Sequence, residues 1–285
     1  MQGNPFSTTY YNARRRGPAD PYRYSSMHVA VYERRGRRSK VAAWALETQP
    51  IDPRRDRTAE RLAIGNSMLR WEGDRLVADL DERTTPPPKG NPFRWPVHGR
   101  VVIHPEAMPG VGLPIDEHGR HLWWPVAPVA RFEVDRFEPR LRFSGHGYHD
   151  ANAGDRPLDE SFDTWSWMRA RVGHAARLTY DVRTASGVRR AHALEVRPDG
   201  VYDLEDTKRV SIERSAWGLA RDARVDRGRQ AHTVQAYEDG PFYTRSLLKT
   251  HIGGDEVLAM HETLAAHRLR RAWVRHCATY RMRER

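Results

Sequence analysis

The chain has 285 residues, of which 39% are hydrophobic and 9% aromatic, including nine Trp and eleven Tyr. This length suits two ordinary domains or one large β domain, and the aromatic content favours β structure and apolar ligand pockets. The 48 Lys and Arg exceed the 37 Asp and Glu by 11, and basic residues cluster at 13–17 and 33–40.

These basic runs would suit nucleic acid or anionic lipid as a partner. No zinc-finger spacing or RNA-binding aromatic signature accompanies them, so we expect no nucleic-acid partner. The single cysteine excludes an internal disulfide, no apolar run is long enough to span a membrane, and the first residues lack the apolar core of a signal peptide. We therefore expect a cytoplasmic protein with peripheral contact with an anionic membrane surface, made through Arg14, Arg15 and Arg16.

Short segments that alternate between apolar and polar residues follow one another along the chain, separated by turn residues. They predict strands at 25–34, 40–47, 99–106 and 131–145, and hairpins around 72–74 and 185–187. The proline-rich segment 84–96 predicts a loop, and 262–277 is the best candidate for a helix. Many short strands with few helices indicate an all-β sandwich or barrel.

The segment 153–163 is acidic, rich in turn residues and poor in β-formers. It predicts a junction between two β units, with an N-terminal domain at 1–152 and a C-terminal domain at 164–285.

Two segments carry side chains that could do chemistry. His121 and Trp123 are two residues apart in RHLWWPVAP, and Tyr148 and Asp150 are two residues apart in GHGYHDANAG. Because residues i and i+2 of a strand lie on the same face, each segment would present its pair together. If both faces point inward, an apolar cavity would hold a carboxyl, an imidazole, an indole and a phenol.

Such a set suits the hydration of an isolated alkene. A carboxyl group buried in apolar surroundings keeps its proton near neutral pH and can deliver it to carbon. Aromatic faces stabilise the resulting carbocation, and a histidine can bind or deprotonate the attacking water.

Other interpretations of the same residues stay open. A strand Tyr can simply pack, Asp150 can be a turn residue, and Trp-Trp-Pro can belong to a core. His146, His149 and Asp150 could suggest a metal site, but two strand residues three apart face opposite ways. The sequence contains no HExxH, paired CxxC, GxSxG or phosphate-binding glycine motif.

The stretch FSGHGYHDANAGDRPLDESFDTWSWMRAR at 143–171 resembles the carotenoid 1,2-hydratases, or hydroxyneurosporene synthases, of purple photosynthetic bacteria. Their pattern is S-G-x-G-Y-x-D-x-N-x-G, then Pro-Leu, then Trp-x-Trp-x-Arg. All its fixed positions are present: Ser144, Gly145, Gly147, Tyr148, Asp150, Asn152, Gly154, Pro157, Leu158, Trp165, Trp167 and Arg169. Segments at 10–21, 27–32, 119–134, 237–248 and 260–269 are also similar to the family.

The resemblance implies two lipocalin-like β-barrel domains in tandem, and it implies neither a cofactor nor a metal. It implies that the substrate is an acyclic carotenoid such as neurosporene or lycopene, hydrated at its terminal C1–C2 double bond. Asp150 would donate the proton, with Tyr148, His121 and Trp123 beside it as further catalytic residues. Four residues would contact the substrate: Trp124, Trp165, Trp167 and Asn152.

Two further expectations follow from the resemblance. Family members carry a strand and a hairpin ahead of the segment that matches Gly3–Phe6, so the first barrel is expected to be open and the activity impaired. The alternative function is a lipocalin-like relative that binds or cyclises an apolar polyene or terpenoid without hydrating it.

Overall fold

The computed structural model of the protein describes residues 24–35, 38–50, 58, 60–85, 93–137, 141–279 and 283–284. The predicted all-β class is confirmed, because strands account for nearly all of the regular structure. The basic segment 13–17 and most of the proline-rich segment 84–96 lie outside the described residues.

Among the described residues, nine strands precede residue 155. They are β1 (Tyr24–Arg35), β2 (Arg38–Pro50), β3 (Arg61–Ile64), β4 (Ser67–Glu72), β5 (Arg75–Arg83), β6 (Pro96–Ala107), β7 (Leu113–Pro114), β8 (His121–Phe137) and β9 (Leu141–Gly154). One sheet has the order β3-β4-β5-β6-β8-β7, and β9 also pairs with β8. β1 and β2 form an antiparallel pair in a separate sheet.

A short helix, α1 (Leu158–Ser161), lies between β9 and the next strand. The strands that follow are β10 (Phe162–Val172), β11 (Ala175–Thr184), β12 (Arg189–Arg197), β13 (Gly200–Asp203), β14 (Thr207–Ile212), β15 (Arg221–Asp226), β16 (His232–Asp239), β17 (Tyr243–Ile252) and β18 (Asp255–Leu264). The chain continues through a 3-10 helix (Ala266–Arg270), α2 (Ala272–Thr279) and β19 (Arg283–Glu284), which pairs with β2 in parallel.

The second large sheet has the order β13-β12-β11-β10-β18-β17-β16, and β14 and β15 form a hairpin of their own. The division of the chain into domains at 1–152 and 164–285 stays a prediction, although α1 falls inside the predicted junction 153–163. Within the described ranges, no helix is both long enough and apolar enough to cross a bilayer.

β10 is covered on both faces, which explains its nearly continuous burial. Trp165 and Trp167 belong to one apolar cluster, which also contains Trp123 of β8. Met168 and Ala170 point the other way, into a second cluster with residues of β15 and β17. One face of this sheet therefore packs against the strands that precede the junction, and the other closes the core of the second group of strands.

Both predicted hairpins are present: β4–β5 turns at Gly73 and β11–β12 turns at Gly187, and each glycine has a positive φ. Two predictions are wrong in part. The single strand expected at 131–145 is two strands, β8 and β9, which pair with each other. The helix expected over 262–277 begins too early, because β18 continues to Leu264 in pairing with β10 and β17.

Candidate functional site

The pairing of β8 with β9 positions the candidate acid. Trp123 lies directly opposite Asn152, so Asp150 is two residues further along the neighbouring strand. The register shifts after Trp124, where extra residues of β8 break the regular ladder. Such an irregularity bends a strand and changes the direction of its side chains.

Two side chains donate hydrogen bonds to one oxygen of Asp150. The indole Nε1 of Trp123 lies 2.9 Å from Asp150 Oδ2, and the hydroxyl of Tyr148 lies 3.0 Å from the same atom. Trp123 is completely buried. The predicted pairing of Tyr148 with Asp150 on one face of a strand is present in the structure, and Trp123 joins them from β8.

Burial raises the pKa of the Asp150 carboxyl from 3.8 to about 6. The hydrogen bonds from Trp123 and Tyr148 favour the ionised form and oppose this rise, whereas the negative charge of Glu262 adds to it. Desolvation is the largest of these effects, so the carboxyl keeps its proton closer to neutral pH than an ordinary aspartate does.

Aromatic rings from the second large sheet pack against the two donors to this carboxyl. The ring of Trp123 lies 5.1 Å from that of Tyr180, which lies 5.7 Å from the ring of Trp165. The rings of Tyr148 and Trp167 are 4.9 Å apart. Of the predicted substrate-binding residues, Trp167 thus contacts the Asp150 donor Tyr148, and Trp165 contacts Tyr180, which packs against the other donor, Trp123.

His121 occupies a different position. It is buried, its Nε2 lies 2.9 Å from the hydroxyl oxygen of Ser161, and its ring packs edge-on against Phe162 at 4.7 Å. Burial lowers its pKa, which favours the neutral imidazole. A Cβ added to Gly154 would lie only 2.1 Å from His121 Nδ1, so glycine is needed there. The structure thus places His121 against the junction segment rather than against Asp150.

Two predicted residues remain, and only one of them, Asn152, lies on the same side of the sheet as Trp123 and Asp150. Asn152 lies opposite Trp123, and its buried Oδ1 has no hydrogen-bond partner among the described residues. Trp124 follows Trp123 along β8 and packs over Gly112, where an added Cβ would lie 2.1 Å from Trp124 Nε1. Successive residues of a strand face opposite sides, so Trp124 is not brought to Asp150.

Sequence reasoning missed three residues around the acid: Tyr180, Arg245 and Glu262. Arg245 Nε donates to Glu262 Oε1 at 2.8 Å, and the charge of Glu262 acts on both Asp150 and Tyr180. The same i, i+2 rule that selected Tyr148 and Asp150 could have selected Tyr243 with Arg245. Only the packing of the two sheets could have shown that the charge of Glu262, the partner of Arg245, acts on Asp150.

The structure offers no support for the alternative of a metal site at His146, His149 and Asp150. Nowhere in the described part of the chain do three or more His, Cys, Asp or Glu side chains come together in a way that could hold a metal ion.

The family model for carotenoid hydratase CrtC matches residues 1–285. An acyclic carotenoid 1,2-hydratase of Thiocapsa roseopersicina is 36% identical over 99% of this chain and 67% of its own length. One of Rubrivivax gelatinosus is 34% identical over 93% of this chain and 63% of its own length. The chain thus spans about two thirds of the length of these two relatives.

Among solved structures, an AttH protein of Nitrosomonas europaea matches with a TM-score of 0.53 at 12% identity, over 81% of this chain and 77% of that one. This likeness confirms the predicted lipocalin-like all-β fold. The predicted family is confirmed as well, and the enzyme class of that family is hydro-lyase. The chain belongs to the CrtC family of carotenoid hydratases.

Proposed function

We propose that this protein adds water across the terminal C1–C2 double bond of an acyclic carotenoid such as neurosporene or lycopene, with Asp150 as the proton donor. The observation that carries the proposal is the buried carboxyl with a pKa of about 6. An isolated alkene is protonated only by an acid that still holds its proton. With that pKa, about a tenth of the Asp150 side chains are protonated at pH 7, roughly a hundredfold more than for an ordinary aspartate.

The hydrogen bonds suggest which oxygen delivers the proton. Trp123 and Tyr148 both donate to Oδ2, so Oδ1 is free of these donors and can carry the acidic proton. The proton moves from Oδ1 to C2 of the alkene, and the positive charge develops at the tertiary carbon C1. Water then captures C1, giving a tertiary alcohol.

The aromatic rings around the acid suit a transient cation. The faces of Trp123, Trp165, Trp167 and Tyr180 can stabilise positive charge without forming a bond to it. Burial raises the pKa of both Tyr148 and Tyr180 well above the usual value, so these phenols stay neutral. A phenolate would trap the cation, and this arrangement avoids one.

The other predicted residues take more distant roles in this proposal. Asn152 Oδ1 can accept a hydrogen bond from the attacking water or the product hydroxyl, because it has no partner among the described residues. His121 would act as a neutral hydrogen-bonding group at the edge of the site, next to Ser161. Trp124 lies on the opposite face of β8, and we leave it outside the proposed site.

The test is hydration of lycopene or neurosporene, presented in detergent micelles and in liposomes, with the product identified by mass spectrometry. We expect a hydroxylated product from the unaltered protein and its loss in Asp150→Asn. Asp203→Asn, at the exposed end of β13, makes the same substitution away from the site and serves as the matched control. Full activity in Asp150→Asn would refute the assigned acid.

We also propose peripheral contact with an anionic membrane, because the substrate is a hydrocarbon that partitions into the bilayer. A stacked pair of exposed indoles supports this: Trp217 and Trp273 are 47% and 45% exposed, with ring centroids 6.1 Å apart. Arg268 donates to the Trp217 carbonyl at 2.9 Å, and the charges of Arg271 and Arg214 act on it. Tryptophan favours the membrane interface, and arginine favours anionic headgroups.

This exposed pair lies close to the buried cluster that holds the acid. Val274, next to Trp273, is fully buried in the same cluster as Trp123 and Trp165. We expect Trp217→Ser with Trp273→Ser to weaken flotation with anionic vesicles, while hydration of detergent-solubilised carotenoid persists. Unchanged flotation would refute this surface and leave the Arg14–Arg16 segment as the candidate.

A further inference from the structure

Glu262 is a second carboxyl group on the side of the sheet that faces the candidate acid. It lies opposite Trp167 of β10 and opposite Arg245 of β17. Strand alternation puts it on the same face of β18 as Met260 and Leu264, and both of these pack in the cluster that contains Trp123. Glu262 therefore lies on the active-site face of β18, away from the core of the second sheet.

Arg245 holds this carboxylate in place. Its Nε lies 2.8 Å from Glu262 Oε1, and its Nη1 lies 3.3 Å from Glu238 Oε1 and donates to the hydroxyl of Tyr32 at 3.3 Å. The Glu262 side chain is only 17% exposed. A guanidinium stabilises a carboxylate that is largely removed from water, so the ion pair with Arg245 fixes the position of the Glu262 side chain.

The negative charge of Glu262 affects the pKa of three side chains in and around the site. It raises the pKa of Asp150, after the larger effect of burial, and it contributes in the same way to Tyr180 and Tyr243. Two carboxyl groups thus lie in different surroundings: burial raises the pKa of Asp150, and Glu262 forms an ion pair with Arg245. Pairs of this kind divide the roles of acid and base in other enzymes.

Hydration of an alkene requires both roles. After Asp150 has delivered its proton to C2, the water that attacks C1 becomes a strongly acidic oxonium and must lose a proton. A carboxylate such as that of Glu262 is sufficient for that transfer.

We propose that Glu262 is a further catalytic residue of the hydration reaction, accepting the proton of the attacking water. This assignment rests on the proposed hydratase function. The alkene electron pair forms the new C2–H bond with the proton of Asp150, and an electron pair of water forms the C1–O bond. One water proton passes to Glu262, and its return to Asp150 through solvent closes the cycle with a net gain of one water by the substrate.

The test separates protonation of carbon from capture by water. The full chain acts on lycopene in detergent micelles made in deuterium oxide, and both the product and the recovered substrate are examined by mass spectrometry. In Glu262→Gln we expect hydration to fall at least about 100-fold. Deuterium should still enter C2 of recovered lycopene, because the cation forms and then returns a proton to Asp150. In Asp150→Asn we expect neither hydration nor exchange.

Controls make each outcome decisive. Glu256→Gln removes a charge from the same strand, where Glu256 pairs with Lys249 at the surface, and should keep both activities. Glu262→Asp restores the carboxylate and should recover part of the hydration, which also covers poor folding of the Gln variant. Normal hydration in Glu262→Gln overturns the proposal, and so does the loss of both exchange and hydration in that variant. If His121→Gln, and not Glu262→Gln, shows exchange without hydration, His121 is the residue that accepts the proton of the attacking water. An unaltered protein that neither hydrates nor exchanges lycopene refutes the hydratase function itself, and this assignment with it.

Discussion

The unusual ionisation of Asp150 has a consequence for stability that can be measured without any substrate. Replacing it by Asn keeps an oxygen that can accept the hydrogen bonds from Trp123 and Tyr148, but removes the group that titrates. We expect Asp150→Asn to be inactive and, at alkaline pH, more stable than the unaltered protein.

The magnitude follows from the pKa. Each tenfold change in proton binding corresponds to about 1.4 kcal/mol, so a rise from 3.8 to about 6 corresponds to about 3 kcal/mol. Below pH 3.8 the carboxyl is protonated in both folded and unfolded chains. As the pH rises towards 6, the unfolded chain releases the proton while the folded one retains it, and stability falls. Above pH 6 the folded protein bears the full cost. Because the residue as a whole is only partly buried, about 3 kcal/mol is an upper value.

The assay is chemical denaturation of both proteins from pH 4 to pH 8, followed by tryptophan fluorescence. All other titrating groups are shared, so they cancel in the difference between the two free energies of unfolding. That difference should change by up to about 3 kcal/mol in favour of Asn between pH 4 and pH 8. A difference that stays constant with pH would refute the raised pKa, and with it the argument for Asp150 as an acid.

Three other changes have expected outcomes. Trp123→Phe removes a donor that favours ionised Asp150, so the alkaline limb of the rate profile should move to higher pH; an unmoved limb would contradict this. Gly154→Ala places a Cβ 2.1 Å from His121 Nδ1 and should cost about 1–3 kcal/mol in urea denaturation. Arg177→Met removes one of the two guanidinium partners of the buried Glu195 and leaves Arg197 as the other, so it should lower the free energy of unfolding by up to about 3 kcal/mol.

Local sequence was enough to predict the features that depend on local geometry. Alternation predicted β1, β2, β6 and the strands of both hairpins but none of the strands from β13 to β18, and Gly73 and Gly187 supplied the positive φ that the two hairpin turns need. The predicted helix over 262–277 began too early because pairing with β10 and β17 keeps Leu264 in a strand. Such pairing involves residues far away in sequence, and no local pattern reveals it.

The candidate site was predictable to the same extent. The i, i+2 spacing placed Tyr148 beside Asp150 because both belong to one strand. The spacing of His121 and Trp123 likewise placed them on one strand, but it could not show which of the two side chains reaches Asp150. The register of β8 against β9 decides that, and it brings Trp123 to Asp150 while His121 lies opposite Gly154. Register is set by the whole sheet rather than by the residues of one strand.

The position of Asp150 between two sheets explains why its chemistry depends on both. β8 and β9 supply the carboxyl and its two hydrogen-bond donors, which by themselves favour ionisation. The rings of Trp167 and Tyr180, together with the charge of Glu262, come from the other sheet. Those contributions exclude water and oppose ionisation, and they exceed the effect of the donors. The acid is therefore a property of the packed pair of sheets, and any change that loosens their contact should lower the pKa of Asp150 before it unfolds either sheet.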